Sequence, residues 1–417
     1  PRVLSMPLPA VSISQAQQNH AALAGQPCPD HVTDVLAPER CAFARKNISR
    51  WSSYQPTALY PLGGLAGEIG IGSLFYKDES TRFGLGSFKA LGGAYAVQQA
   101  LQQALDAQLA DTTVTLDDIH HKRYPELAGD MTVVTATDGN HGRSVAWGAQ
   151  RFGCQCMIYM HEHVSLARRE AVEAYGAQVV RVAGNYDDSV RQADQDAKDN
   201  GWQIVSDTSY PGYMEIPRDV MAGYTLMTTE TMDQLPGDIV PTHIFIQGGC
   251  GGLAGAVCAD FWFRYGVDMP HLIVVEPVPA ACLYESARAG EPQLVNIVNE
   301  SLMAGLSCGE VSLLGWQILK AGARHFLTIS DAPVAPLMQE MANGARGDPA
   351  IVAGESAIAG LAGLIGAMQD PALCKDLGLN ERSQVLVFGT EGATDPALYR
   401  ELTGTDAKNV TTSSNGS

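Results

Sequence analysis

One lysine has an unusual setting. In "RFGLGSFKALGGAYAV", Arg82 to Val97, glycines surround Lys89 and a helical pattern follows. A positive charge at a helix start opposes the helix dipole, so this is a poor place for a structural lysine. The same placement favours the neutral amine, the form that attacks a carbonyl. A second stretch, "FIQGGCGGLAGAV", sets Gly248, Gly249, Cys250, Gly251, Gly252 and Leu253 between an apolar run and a helical one. Glycines let backbone N–H groups approach an anion, and the helix start adds a favourable dipole, so this reads as a phosphate cradle. It lacks the Gly-Lys-Ser/Thr ending of a Walker loop and is not the dinucleotide GxGxxG. In a third stretch, "TATDGNHG", Asn140 lies where its amide can face a cofactor ring, and Asp138 precedes it. Asp-Gly and Asn-x-Gly are also ordinary turn formers. A carbonyl-attacking lysine together with a phosphate cradle points to pyridoxal 5′-phosphate as cofactor.

These residues need a scaffold. The runs "SLFYKDES", "MTVVTATDGN", "CQCMIYM", "QVVRVA", "WQIVSDT", "THIFIQGGCGG", "HLIVVEP" and "QVLVFGTEG" read as strands. Helical patterns alternate with them. In "ALGGAYAVQQALQQAL", Ala94, Val97, Leu101 and Leu105 recur at helical spacing. "HGRSVAWGAQRFG" closes on Gly153, and "SLARREAVEAYGA" has Ser165 as its N-cap. "YDDSVRQADQDAKDNG" and "LAGAVCADFWFRYG" are further helices. Continuous apolar strands separated by helices predict an α/β fold with parallel sheets buried on both faces. Ligands in such sheets bind beyond the carboxyl ends of strands, and the candidate loops follow strands.

Composition bounds the function. The chain has 417 residues, room for one large or two ordinary domains. Hydrophobic residues make up 46% and charged residues 17%, the balance of a globular enzyme. A formal net charge of −18 supplies no basic footprint, so no nucleic-acid partner is expected. No run reaches the roughly 18 apolar residues of a membrane helix, so no membrane partner is expected. The stretch "PRVLSMPLPAVSISQAQQ" has no positive region before a long apolar core, so no secretory leader is expected. Nine cysteines, an odd number without a CxxC pair, suggest a reducing compartment and a cytoplasmic protein. Cys154 and Cys156, two apart, are expected on one strand face in the core. His161 and His163 of "HEH" could share one face, but no third ligand has convincing spacing, so no metal is expected. His120 and His121 read as loop residues.

Taken together, the loops resemble the fold-type-II pyridoxal-phosphate enzymes, the group of threonine dehydratase and the tryptophan synthase β subunit. Within that group the chain is most similar to the diaminopropionate ammonia-lyase family, over roughly Trp51 to Leu402. The stretches that carry the likeness are "KDESTRFGLGSFKALGG", "TATDGNHGRSVAWGAQ", "NYDDSVRQA", "DTSYPGYMEIP", "MAGLSCGE", "LGWQIL", "GESAIAGL" and "TEGATD". The resemblance implies two open, twisted, mostly parallel sheets flanked by helices, with the active site between the domains. Residues 1–88 and 222–402 would form a large cofactor-binding domain and 89–221 a small one, with 403–417 a flexible tail. A homodimer is also implied.

The family's roles fall on named positions. Lys89 would bond the cofactor aldehyde, and Phe88 would pack beside the ring. Asn140 would hydrogen-bond the phenolic oxygen, and Thr390 would meet the pyridine nitrogen. The loop from Gly248 to Leu253 would hold the phosphate. Thr137, Asp138, Gly139 and His141 would bind the substrate carboxylate. Lys89 would serve as base for the L isomer and Asp138 for the D isomer, while Asp207 would receive the leaving ammonium. Glu355 and Arg82 would lie near the site. The reaction implied is α,β-elimination of 2,3-diaminopropionate, through aminoacrylate, to pyruvate and ammonia. There are departures: the Gly-Gly-Cys-Gly-Gly-Leu cradle is nearer that of threonine dehydratases, and Tyr210 and Pro211 differ from the lyase pattern. The alternatives are a dehydratase or ammonia-lyase of a 3-hydroxy amino acid (serine, threonine, 3-hydroxyaspartate or phenylserine type), a β-replacement synthase, and a pyridoxal-phosphate-binding protein without turnover.

Overall fold

The computed structural model describes residues 7–109, 111–137, 139–237 and 239–410. The chain divides into two compact units. The first comprises Pro1–Val35, Pro56–Ser87 and Thr228–Ser417, and the second Leu36–Gln55 and Phe88–Met227. Relative to the boundaries expected from sequence, Leu36–Gln55, Phe88 and the residues 222–227 fall in the second unit.

The first unit is built on seven strands: β1 (Ile13–Gln18), β2 (Leu59–Pro61), β3 (Ser73–Asp78), β8 (His243–Gln247), β9 (His271–Pro277), β10 (His325–Ile329) and β11 (Gln384–Gly389). Their order is β1-β10-β9-β8-β11-β3-β2. The five inner strands run parallel, and β1 and β2 are antiparallel at the two edges. The inner strands are rich in apolar residues, and every residue of β8 and of β10 is buried, as expected of strands covered on both faces. Phe245, Ile273, Leu327, Val385 and Val387 lie in one core with the Ala359–Gln369 helix. That helix, "AGLAGLIGAMQ", is apolar all round and buried along most of its length.

The second unit carries a parallel sheet of β4 (Thr132–Ala136), β5 (Gln155–His161), β6 (Gln178–Val182) and β7 (Gln203–Ile204), ordered β6-β5-β4-β7. Helix Ala90–Gln108 lies against helix Asn140–Phe152 so closely that a Cβ on Gly148 would stand 2.8 Å from Ala94 Cα. A Cβ on Gly93 would stand 2.0 Å from Ser144 Oγ. The glycines after Lys89 are therefore explained by helix packing. The glycine before it has a different use: Gly86 takes φ +79°, a left-handed turn that a side chain resists.

Several local expectations change. The strand read in "WQIVSDT" shrinks to Gln203–Ile204. Past Val205 the chain turns away, because Ser206 N donates to the Tyr213 hydroxyl at 2.9 Å and Thr208 N to Ser206 Oγ at 3.2 Å. Strands β1, β2 and β10 had no sequence reading. β1 is polar and mostly exposed, and its strand character comes only from pairing with β10. His120 ends a short helix, Leu116–His120, instead of lying in a loop. Cys156 is buried in β5, while Cys154 precedes the strand and is half-buried. Thr403 closes the Pro396–Thr403 helix, and a 3-10 turn follows at Ala407–Asn409; the tail from 411 to 417 lies outside the described residues.

Candidate active site

In the second unit, Lys89 is the N-cap of the Ala90–Gln108 helix. Its Nζ lies 2.5 Å from Asp207 Oδ2, with side chains 22% and 18% exposed. This ion pair presents an ammonium, not the bare amine that the helix-end argument favoured, because an adjacent opposite charge favours the charged form. Asp207 is aimed by the turn after β7 described above. Burial works to raise its carboxyl pKa, but His141 and Lys89 outweigh burial and hold it well below the usual carboxylate range.

His141 is buried. Its Nε2 lies 2.9 Å from the Val205 carbonyl, so that nitrogen carries the hydrogen and donates. Nδ1 makes no hydrogen bond and stands 3.7 Å from Asp207 Oδ2. Burial pushes the His141 pKa down, with Asp207 opposing. Lys89, Asp207 and His141, distant in sequence, are thus brought together.

Thr137 Oγ1 accepts from Gly139 N and Gly142 N, both at 3.1 Å. Its hydroxyl oxygen therefore shapes the loop that opens the Asn140–Phe152 helix. Asn140 is the first residue of that helix and half-buried. Asp138 lies outside the described residues. Phe88 is buried edge-on to Tyr224, ring centroids 4.8 Å apart, and Lys89 Nζ is 5.3 Å from the Phe88 ring.

In the first unit, the glycine loop follows β8 and opens the 14-residue Gly252–Tyr265 helix. Gly251, at φ +97°, is its N-cap and has no side chain to cap the helix. The first N–H groups of a helix have no intrahelical partner, and at Gly252 and Leu253 they open toward the loop. A Cβ on Gly248 would lie 2.5 Å from Glu276 Cγ, and one on Gly251 3.0 Å from Leu283 Cδ2. The backbone must stay bare here. Such a donor set, uncapped and at a helix N-terminus, fits a phosphate.

Sequence reasoning missed Glu276. It is fully buried and accepts from Leu283 N at 2.9 Å and Tyr284 N at 2.7 Å. Burial pushes its pKa up to about 8. The two backbone N–H donors work against that rise. Its position at the end of an apolar strand, "HLIVVEP", was the available signal. Cys250 is half-buried within the loop, and its carbonyl accepts from Ser312 N at 2.8 Å.

Thr390, after β11, accepts a hydrogen bond at 3.0 Å from Gln247, the last residue of β8. The neighbouring Glu391 bridges to Ser87, and its side chain accepts from Ser356 N at 3.0 Å. Arg82 belongs to a buried cluster with Glu79, Glu230 and Lys77. Glu355 is buried before the 3-10 turn Ser356–Ile358. Among the described residues no three side chains form a metal-binding group, and no single helix is long and apolar enough to cross a membrane.

A mostly parallel α/β scaffold with a bare glycine cradle and a paired, helix-capping lysine defines the class as fold-type-II pyridoxal-phosphate enzymes. The sequence model of the pyridoxal-phosphate dependent enzyme family matches residues 51–390, and the chain belongs to that family. More particularly, it is 38% identical over 375 residues to diaminopropionate ammonia-lyase of Escherichia coli K12, covering 88% of this chain and 92% of that protein. The crystal structure of the holo Escherichia coli diaminopropionate ammonia-lyase superposes with a TM-score of 0.85 at 35% identity, covering 95% of this chain and 97% of that one. The same enzyme in complex with an aminoacrylate–pyridoxal-phosphate azomethine reaction intermediate superposes with a TM-score of 0.83, at 35% identity over 95% and 98% of the two chains.

Proposed function

We propose that this chain is a pyridoxal-phosphate-dependent ammonia-lyase that eliminates ammonia from 2,3-diaminopropionate to give pyruvate. The observation that carries the substrate reading is the Asp207 carboxylate, ionised and 2.5 Å from Lys89 Nζ. A fixed anion near a bound α-carboxylate costs about 4 kcal/mol at 4 Å and an effective dielectric near 20. A substrate with a second ammonium group offsets that repulsion, and a hydroxy amino acid does not.

The cofactor, when bound, supplies an electron sink for the α-carbon. The residues of this chain do the rest. Lys89 Nζ holds the cofactor aldehyde and then takes the α-proton of the L isomer. The Asp138 carboxylate takes that of the D isomer. Asp207 pairs with the β-ammonium as it leaves. The N–H groups of the loop from Gly248 to Leu253 bind the phosphate, and the backbone of Asp138 to His141 binds the substrate carboxylate. Phe88 packs beside the cofactor ring, Asn140 meets the phenolic oxygen, and Thr390 meets the ring nitrogen. The larger expected domain, 1–88 and 222–402, supplies the phosphate site, and 89–221 supplies the lysine. The protein is also read as cytoplasmic, supported by nine cysteines without paired spacing. A homodimer is read from the family, supported by the exposure of Leu294 and Val298; sedimentation at micromolar concentration tests it.

The deciding experiment is a substrate panel with the cofactor-loaded protein, following keto acid and ammonia. It includes both isomers of 2,3-diaminopropionate, serine, threonine and 3-hydroxyaspartate. Two ammonia per pyruvate from diaminopropionate is expected. One ammonia per keto acid from a hydroxy amino acid, with diaminopropionate inert, would replace this reading with a dehydratase.

A further inference from the structure

Gln247 and Thr390 are both almost fully buried, 1% and 4% exposed. Gln247 Nε2 donates to the Phe388 carbonyl at 2.7 Å and to Thr390 Oγ1 at 3.0 Å, with the Ala357 carbonyl farther away at 3.4 Å. The carbonyls fix which end of the amide faces Thr390. With the amide turned over, Oε1 would face carbonyl oxygens. The orientation holds although Oε1 itself is buried without a hydrogen bond.

An amide nitrogen has hydrogens to give and no lone pair to offer. The Thr390 hydroxyl therefore accepts from Gln247, and its own proton points elsewhere. Among the described residues no acceptor takes that proton. A protonated ring nitrogen facing Thr390 would add a second donor and leave the buried hydroxyl proton unpaired, which is unfavourable. An unprotonated ring nitrogen would accept it.

We propose that Gln247 is a positioning residue: by donating to Thr390 Oγ1 it turns the hydroxyl proton toward the cofactor ring nitrogen and keeps that nitrogen unprotonated. The proposal rests on Thr390 as the partner of that nitrogen. It gives Gln247 a part in setting the strength of the electron sink without touching cofactor or substrate.

The sharpest variant is Gln247→Glu. A protonated carboxyl oxygen at the place of Nε2 has one hydrogen, which the Phe388 carbonyl takes, and lone pairs that face Thr390. The Thr390 proton then turns toward residue 247, and its lone pairs turn toward the ring nitrogen. An ionised Glu draws the proton more strongly still. The readout is the nitrogen-15 resonance of holoenzyme loaded with cofactor labelled at the ring nitrogen, recorded against pH. The wild type is expected at the unprotonated position. Gln247→Glu is expected to raise the protonated-to-unprotonated ratio about tenfold or more at fixed pH, one pKa unit being a tenfold change. Gln247→Met removes the donor and frees the Phe388 carbonyl to accept from Thr390. It should shift the resonance in the same direction and serves if the Glu variant does not fold.

Thr390→Val separates the layers. If the resonance ignores Thr390→Val, Thr390 does not pair with the ring nitrogen, and the underlying reading fails. If it responds to Thr390→Val but not to either Gln247 variant, the positioning role is overturned and the pairing stands. A Gln247→Glu effect that persists undiminished in the Thr390→Val background also overturns it. A protonated nitrogen in the wild type does the same.

Discussion

The buried charge cluster of the first unit should be intolerant of a single neutralisation. Arg82 donates through Nε and one terminal nitrogen to both oxygens of Glu79, each at 2.8 Å. Its guanidinium also reaches both oxygens of Glu230 at 2.8 Å. Lys77 Nζ donates to Glu230, the Thr57 carbonyl and Gln234 Oε1, all at 2.8 Å. The four side chains are 0–4% exposed, so two cations and two anions balance away from water. Glu230→Gln keeps the shape but leaves one positive charge uncompensated. Removing one partner of a buried pair costs about 3–5 kcal/mol, a large part of the roughly 5–15 kcal/mol that stabilises a domain. Hydrogen exchange in peptides of β3, which carries Lys77, should then accelerate about a hundredfold to a few thousandfold, since 1.4 kcal/mol is tenfold. Adding Lys77→Met to Glu230→Gln restores neutrality and should recover at least about 1 kcal/mol. Arg169→Gln, in an exposed pair with Glu173, should cost only about 0.3–0.5 kcal/mol. A loss below about 1 kcal/mol for Glu230→Gln, or no recovery in the double variant, would refute the reasoning that these charges are desolvated and mutually dependent.

Three further outcomes are expected. Gly251→Ala forces a side chain into φ +97° and should cost at least about 1–2 kcal/mol; it should also weaken cofactor affinity, and equilibrium dialysis showing unchanged affinity would remove the loop from the phosphate site. Asp207→Asn deletes the counter-ion of Lys89, which favours the neutral amine, so cofactor attachment to the apoprotein should proceed at lower pH; stopped-flow traces with an unchanged pH profile would count against the pair. His243, His271 and His325 start three neighbouring strands, and burial depresses all three, His271 to about 2, while Asp376 partly offsets the effect at His325. Their folded pKa values lie below the ordinary value near 6.5, so the unfolded chain binds the extra protons. Stability is therefore full above about pH 6.5 and falls as the pH drops, by up to about 1.4 kcal/mol per pH unit per histidine. Thermal unfolding of the wild type and of His271→Asn between pH 7 and 5 checks this; equal slopes would contradict it.

The sequence by itself determined the fold class, the cofactor and most candidate loops. Those signals are local: an apolar run makes a buried strand, and a glycine run after it makes a backbone that can meet an anion. Lys89, the Gly248–Leu253 loop and the Asn140 loop were each legible in a few consecutive residues. Only the tertiary structure decided the partners. Asp207 reaches Lys89 because β7 ends early and the chain turns on Tyr213, a bond between side chain and backbone that no periodicity announces. Gly93 and Gly148 are fixed by the approach of two helices. Glu276 has its pKa raised because distant segments bury it, and Gln247 faces Thr390 because two strands distant in sequence are neighbours in the sheet. Residue type and spacing are written along the chain, whereas burial, pairing and protonation depend on which distant segments exclude water from one another.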